Sequence, residues 1–364
     1  MRGIRISIAI IVSCLIFLGV VMIYSSSGVY AMQELGDSLY YLKRHVLFLF
    51  IGLILGAAVM VMDYRDLQRV AKPVMLVALG LLFLVLIPGL GKASFGAQRW
   101  FRIGPFFMQP SEFVKIAILI YTADFLSRKQ NHIIDFRNGF MPIMCVLGIT
   151  SALIIKQPDL GSTVLIGVVV LIMIFIAGAR IRHLGVLALL MVPAFYIFVY
   201  RVAYRWRRII TFLDPWKDPT GAGFQLTQSQ IALGNGGVFG VGLGKSVQKL
   251  FYLPAAHTDF ILSIIGEETG FIGAFIVILL FTVLVIQGAR IVKRTTDSFG
   301  YFLSIGIVAM IGIQASLNIG VSIGALPTKG LPLPFISYGG SALITNMVLI
   351  GLLLNISRIN DLEH

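Results

Sequence analysis

The chain has 364 residues, 58% of them hydrophobic and 12% charged, with a mean hydropathy of +0.93. Soluble domains are about 45–50% apolar and about 25% charged, so a soluble enzyme, a disordered tail and a secreted disulfide scaffold are excluded. The net charge of +13, without any aromatic-basic module, points to topology signals and anionic lipid contact rather than nucleic acid. The expectation is an all-α, polytopic membrane protein with about ten transmembrane helices. It forms a single domain over residues 1–364, with one large extracytoplasmic loop, 201–261, between helices 7 and 8.

The first apolar run, Ile6 to Tyr24, follows Arg2 and Arg5. It exceeds the roughly 7–15 residues of a signal-peptide core, so a retained first helix with a cytoplasmic N-terminus is expected. Further spans are expected at about 46–62, 73–89, 111–126, 141–156, 160–178, 184–200, 262–286, 300–321 and 338–356. This order places 14 Arg and Lys on the cytoplasmic side against six in the short outer loops, the bias the positive-inside rule asks for. Both termini are then cytoplasmic. Cys14 and Cys145 lie inside apolar runs without metal-ligand spacing and read as small core residues.

The outer loop 90–110 carries Arg99, Trp100 and Arg102 among glycines and aromatics. It is an interfacial ligand surface or an aromatic belt at headgroup depth, and taken alone the belt explains it. Gln109-Pro110-Ser111-Glu112 and Gln157-Pro158-Asp159-Leu160 then open two helices with ordinary N-terminal chemistry. Glu112 and Lys115, three apart in an apolar segment, can face one another. Charges at such depth are costly and face a bundle interior or a wet cavity, and Lys156 and Asp159 can share that cavity.

The long loop opens with Arg201, Arg205, Arg207 and Arg208, passes a turn-rich stretch, 214–223, and reaches an amphipathic piece, 224–233. Six glycines between Gly234 and Gly244 precede Lys245. Their backbone N–H groups can approach a ligand closely, or the segment packs so tightly that only glycine fits. The spacing is neither a Walker A nor a dinucleotide fingerprint. His257-Thr258-Asp259-Phe260 closes the loop where water meets the membrane. Partial desolvation there suits Asp259 to take a proton from a hydroxyl. Its side chain can equally cap the next helix, and the residues alone leave both readings open. His257 orients a diphosphate or stands by. Glu267 and Glu268, between Gly266 and Gly270, are expected to mark a helix break with polar solvation.

These motifs, with Pro332-Leu333-Pro334-Phe335-Ile336-Ser337-Tyr338-Gly339-Gly340-Ser341, resemble the SEDS family (shape, elongation, division and sporulation) in order and spacing over nearly the whole chain. The stretch Ser246 to Asp259 is similar to the division branch more than to the elongation branch, and the sporulation branch stands close by. Ser341 is followed by Ala342 where the family often has a second serine. The terminal segments are shorter than the cytoplasmic tails of many division-branch members, so partner contacts through a tail are not expected.

The resemblance implies a peptidoglycan glycosyltransferase that polymerises lipid II on the outer face of the cytoplasmic membrane during cell division, releasing undecaprenyl diphosphate. The family's essential loop aspartate falls on Asp259, as general base or as ligand of a divalent cation, Mg2+ or Mn2+. No organic cofactor is implied. Arg99 and Trp100 match the family's first large outer loop, and Glu112 and Lys115 match positions lining a central cavity. Asp159 and His257 join them as substrate-binding candidates. A diphosphate leaving group needs cationic neighbours, for which Arg205, Arg207, Arg208, Lys245 and Lys249 are available. The implied partners are lipid II, undecaprenyl-linked glycan, a class B penicillin-binding protein transpeptidase and other division membrane proteins. Competing readings are a lipid II flippase, which needs a polar path reachable from both faces, and a non-catalytic division scaffold. The unusual polar residues lie mostly in the outer half, which favours catalysis and leaves Asp124, near the inner end of the fourth helix, unexplained.

Overall fold

The computed structural model describes residues 1–94, 97–104 and 106–362. Its helices are α1 (Arg2–Leu35), α2 (Tyr40–Val61), α3 (Asp66–Leu84), α4 (Pro110–Lys129), α5 (Met141–Lys156), α6 (Leu160–Ile176), α7 (Ile181–Phe195), α8 (Ala203–Leu213), α9 (Phe224–Gly236), α10 (Ile261–Arg294), α11 (Ser298–Ser322) and α12 (Gly340–Leu362). Each expected span coincides with a helix, while α8 and α9 structure the long loop. Seven helices (α1, α2, α3, α5 with its preceding turn, α10, α11 and α12) are long and apolar enough to cross a membrane. Of the other three, α6 is a shorter apolar helix of 17 residues. Helix α7 continues into a π turn, Tyr196–Tyr200, and α4 carries the charges of Glu112, Lys115, Asp124, Arg128 and Lys129. The chain is a multi-pass membrane protein.

Two helices run furthest beyond their expected ends. Helix α1 continues through Ser25-Ser26-Ser27, where Ser27 donates back to Ile23 O at 2.7 Å and Ser25 across to Glu268 of α10 at 2.7 Å, bonds that leave the helix backbone intact. Gly36, left-handed at φ 72°, ends it, as glycine does at helix C-termini. Helix α10 spans 34 residues and breaks at Gly270, where φ is 72° and ψ −169°.

The loop 90–110 holds a three-stranded antiparallel sheet of β1 (Lys92–Ser94), β2 (Ala97–Ile103) and β3 (Phe106–Met108) in the order β1-β2-β3. Phe101 pairs with Met108 across it. The aromatics that read as a membrane belt are also residues that strands favour.

Helix α12 lies at the centre: 78% of its most apolar stretch is buried, against 22% for α2. The two helices touch backbone to backbone, since a Cβ on Gly351 would stand 2.6 Å from Gly56 O. Asn355 Nδ2 then donates to Val59, Met60 and Met62 carbonyls at the end of α2, groups a helix terminus leaves orphaned. Cys14 and Cys145 are free and exposed, a correction to their expected core placement. In a membrane protein the bundle and lipid faces are both apolar, so an apolar run does not say which face a residue takes.

Candidate active site

The segment carrying Asp259 is held by its carbonyls. Tyr338 N–H donates to His257 O at 2.9 Å, Ser337 Oγ to Thr258 O at 2.5 Å, and Asn318 Nδ2 to Asp259 O at 2.8 Å. Three consecutive carbonyls are thus gripped by α11 and by the Pro332–Ser341 segment. Ala255 (φ 59°) and Phe335 (φ 66°), neither a glycine, sit in the left-handed region on either side of this grip, a conformation that costs about 1–3 kcal/mol and persists where surroundings enforce it. Phe260 is the N-cap of α10 and no side chain among the described residues caps it, so the capping reading of Asp259 is overturned.

The Asp259 carboxylate is partly buried and accepts no hydrogen bond among the described residues. It faces a narrow cleft walled by Leu317, Asn318 and Val321 of α11 and by Lys329, Gly330 and Leu331. Desolvation pushes its pKa up to about 6; the guanidiniums of Arg208 and Arg99 oppose this, and the Asp159 charge adds to it. Both cations are tethered through carbonyls: Arg208 Nη1 to Thr328 O at 3.2 Å, Arg99 Nε and Nη2 to Gln157 O at 2.8 Å and Pro158 O at 2.6 Å. Asp159 caps α6 through Ser162 N–H at 3.0 Å and Oγ at 2.8 Å, and takes Gln109 Nε2 at 3.2 Å. Burial also pushes the Lys329 ammonium down from its ordinary range.

Glu112 and Lys115 face the bundle interior. Lys115 Nζ lies 2.7 Å from Glu112 Oε1 and 3.2 Å from Gln314 Oε1, all three residues being buried. Gln314 Nε2 donates to Pro332 O at 2.9 Å. The ion pair therefore reaches the Asp259 cleft through α11 and the Pro332–Ser341 segment.

Other candidates stand apart. Arg205 donates to Phe198 O at 2.7 Å, exposed Arg207 pairs with Asp218 at 3.2 Å, and Lys245 is exposed. Lys249 is buried, 2.8 Å from Glu268 and 3.0 Å from Ser25 Oγ. The His257 ring sits among Tyr41, Tyr30 and Tyr338, with centroids 4.6, 5.9 and 5.9 Å away, and burial pushes its pKa down to about 4, so it is neutral at physiological pH. Trp100 is half-buried in β2, paired with Lys92. Lys156 is exposed, and Asp124 is tied to Arg128 at 2.5 Å.

Glu267 and Glu268 were expected to be solvated, and the structure corrects this. Both are 1% exposed. Glu267 accepts from Ser246 Oγ and from the N–H groups of Val247 and Gln248 at 3.2 and 3.3 Å. The helix break is present, but the glycine-rich stretch fills it: Val241 and Gly242 N–H donate to the carbonyls of Glu267 and Glu268 at 3.0 Å each, and Phe271 N–H to Gly237 O at 2.8 Å. A Cβ on Gly236 or Gly240 would strike the backbone of Gly266 or Glu268. Close packing explains these glycines.

Sequence reasoning did not single out Gln314, Asn318 or Lys329 for the site. A signal existed in the first two, amides four residues apart on an otherwise apolar helix and so on one face. Among the described residues no group of three His, Cys, Asp or Glu could hold a metal ion. Magnesium is ordinarily held by one or two carboxylates with phosphate and water, so Asp259 fits such an ion jointly with a diphosphate.

Residues 5–362 match the FtsW/RodA/SpoVE family of cell cycle proteins. The chain belongs to that family. A relative from Geobacter metallireducens, named a probable peptidoglycan glycosyltransferase FtsW, is 48% identical over 93% of this chain and 90% of its own. Stage V sporulation protein E of Bacillus subtilis is 45% identical over 96% of each chain. Among solved structures, a chain from work on structural coordination of polymerization and crosslinking by a peptidoglycan synthase complex superposes with a TM-score of 0.79 at 28% identity, covering 97% of both chains.

Proposed function

We propose that this protein is a peptidoglycan glycosyltransferase that polymerises lipid II at the outer face of the bacterial cytoplasmic membrane during cell division, with both termini in the cytoplasm. The observation that carries the reading is the Asp259 carboxylate, desolvated, free of hydrogen bonds among the described residues, and flanked by Arg208 and Arg99. A base with a pKa near 6 is mostly ionised at neutral pH and still accepts a proton in the transition state. Asp259 takes the proton of the acceptor sugar's 4-hydroxyl as that oxygen bonds to the anomeric carbon of the lipid-linked donor. The bond from that carbon to the diphosphate oxygen breaks, and undecaprenyl diphosphate leaves with the electron pair. Arg208 and Arg99 are placed to take the growing negative charge. Where a divalent cation takes part, Asp259 and the diphosphate would hold it, and it would share in neutralising that charge.

A class B penicillin-binding protein transpeptidase is the partner this reading asks for, supported by the complex from which the structural relative comes, and other division membrane proteins would join it. The test is lipid II polymerisation in liposomes by wild type and Asp259→Ala, with and without the transpeptidase. Glycan strands from wild type and none from a folded variant support the enzyme. No strands from wild type, even with partner and divalent cation present, would move the assignment to lipid transport or scaffolding.

A further inference from the structure

Asn318 has one side-chain atom the fold does not use. Its Nδ2 donates to Asp259 O and to Leu331 O, each at 2.8 Å. Both partners are carbonyls, so the reversed amide would set Oδ1 against two acceptors and the orientation is fixed. Oδ1 is left as an acceptor, buried and without a partner among the described residues, on a side chain 2% exposed. Native structures pair nearly all such atoms. Of the buried orphan atoms among the described residues, this one belongs to a residue walling the Asp259 cleft. Asn355 Oδ1, another orphan, sits at the far end of the bundle against the last carbonyls of α2.

Two acceptors without donors among the described residues thus belong to residues of the cleft wall, the Asp259 carboxylate and Asn318 Oδ1. A single hydroxyl has one hydrogen and cannot satisfy both; two hydrogens can, brought by one trapped water or by an occupant with donors on neighbouring positions. A pyranose is such an occupant. We propose that Asn318 Oδ1 is a substrate-binding acceptor that takes a hydrogen bond from the hydroxyl beside the reacting one on the acceptor sugar, while its Nδ2 positions Asp259. This rests on the glycosyltransferase reading, in which the 4-hydroxyl goes to Asp259; the neighbouring donor is then the hydroxyl on carbon 3 or on carbon 6. Sites built to accept a substrate hydroxyl discriminate against analogues lacking it because the protein acceptor is then buried unpaired.

The test measures kcat/KM of the full-length protein in liposomes with acceptors deoxygenated at carbon 3 or carbon 6, for wild type and Asn318→Ala. One of the two analogues should lose about 10–100-fold against the intact acceptor in wild type, and that penalty should fall below about threefold in Asn318→Ala. Equal penalties in wild type and variant would overturn the proposal, with a trapped water as the partner of Oδ1. A variant that needs more Mg2+ for half-maximal activity yet keeps the wild-type penalty would also overturn it, making Oδ1 a cation ligand. Should Asn318→Ala fail to fold, wild type alone decides: full activity with both analogues sinks the proposal. Wild type inactive with intact lipid II is a separate result that defeats the glycosyltransferase reading and this inference with it.

Discussion

Two buried polar regions lie near the start of α10, and they are built in opposite ways. At the break in α10, each charge has its partner: Lys249 with Glu268 and Ser25, Glu267 with Ser246 and two backbone N–H groups. In the cleft beside it, Asp259 and Asn318 Oδ1 stand without donors among the described residues. A saturated network gives rigidity and has nothing left to offer a ligand. A half-satisfied one is unstable on its own account and persists because something else completes it. Lys249, a substrate candidate by its position in the loop, belongs to the first kind, and Asn318, unremarked on a membrane helix, to the second.

The largest expected effect breaks the unsaturated region. Asp259→Asn should lower the rate of strand synthesis at least about 1,000-fold, the scale of losing a general base, while the variant folds and binds its partner. Activity within tenfold of wild type would remove Asp259 from the chemistry.

The saturated region should answer in stability. Lys249→Met leaves Glu268 buried without its cation, which costs about 3–5 kcal/mol. The double variant Lys249→Met/Glu268→Leu should recover most of that loss, read as melting temperature in detergent. A double variant no more stable than the single one would show that the ion pair is not the source of the effect.

Asp259→Asn should also separate the regions by pH. The folded carboxyl keeps its proton up to about pH 6, while the unfolded chain loses it near the ordinary carboxylate value of 3.8. Ionising it therefore costs the native state nothing below about pH 4 and its full penalty above about pH 6, on the order of 3 kcal/mol. The asparagine variant should melt above wild type at pH 7.5, with the gap closing between pH 6 and 4. A variant less stable than wild type at pH 7.5 would restore a structural role for the carboxylate.

The smallest effect is expected from Arg207→Ala. Its ion pair with Asp218 is exposed, and exposed pairs contribute little, so melting temperature should stay put and activity within about twofold. A tenfold loss would bring that arginine into the site.

The positions of the helices were legible because apolar runs long enough to span can do little else in this composition. Asp259 was legible as a carboxylate at a boundary, with its role open between base and cap until the structure placed Phe260 at the helix start. Which arginine reaches the cleft was not legible. Arg205, Arg207 and Arg208 share one helix, and it is the placement of α8 against Thr328 that brings Arg208 toward the carboxylate. Glu267 and Glu268 read as solvated because their partners lie on another helix and an earlier loop, contacts that local pattern does not contain.

The pH dependence of kcat/KM for strand synthesis, with divalent cation held fixed, tests the account most directly. It predicts a rate that rises with pH through an inflection near 6, the position to which desolvation moves the Asp259 carboxyl. A profile flat from pH 5 to 8 would contradict it, since an ordinary solvated carboxylate is already fully ionised across that range.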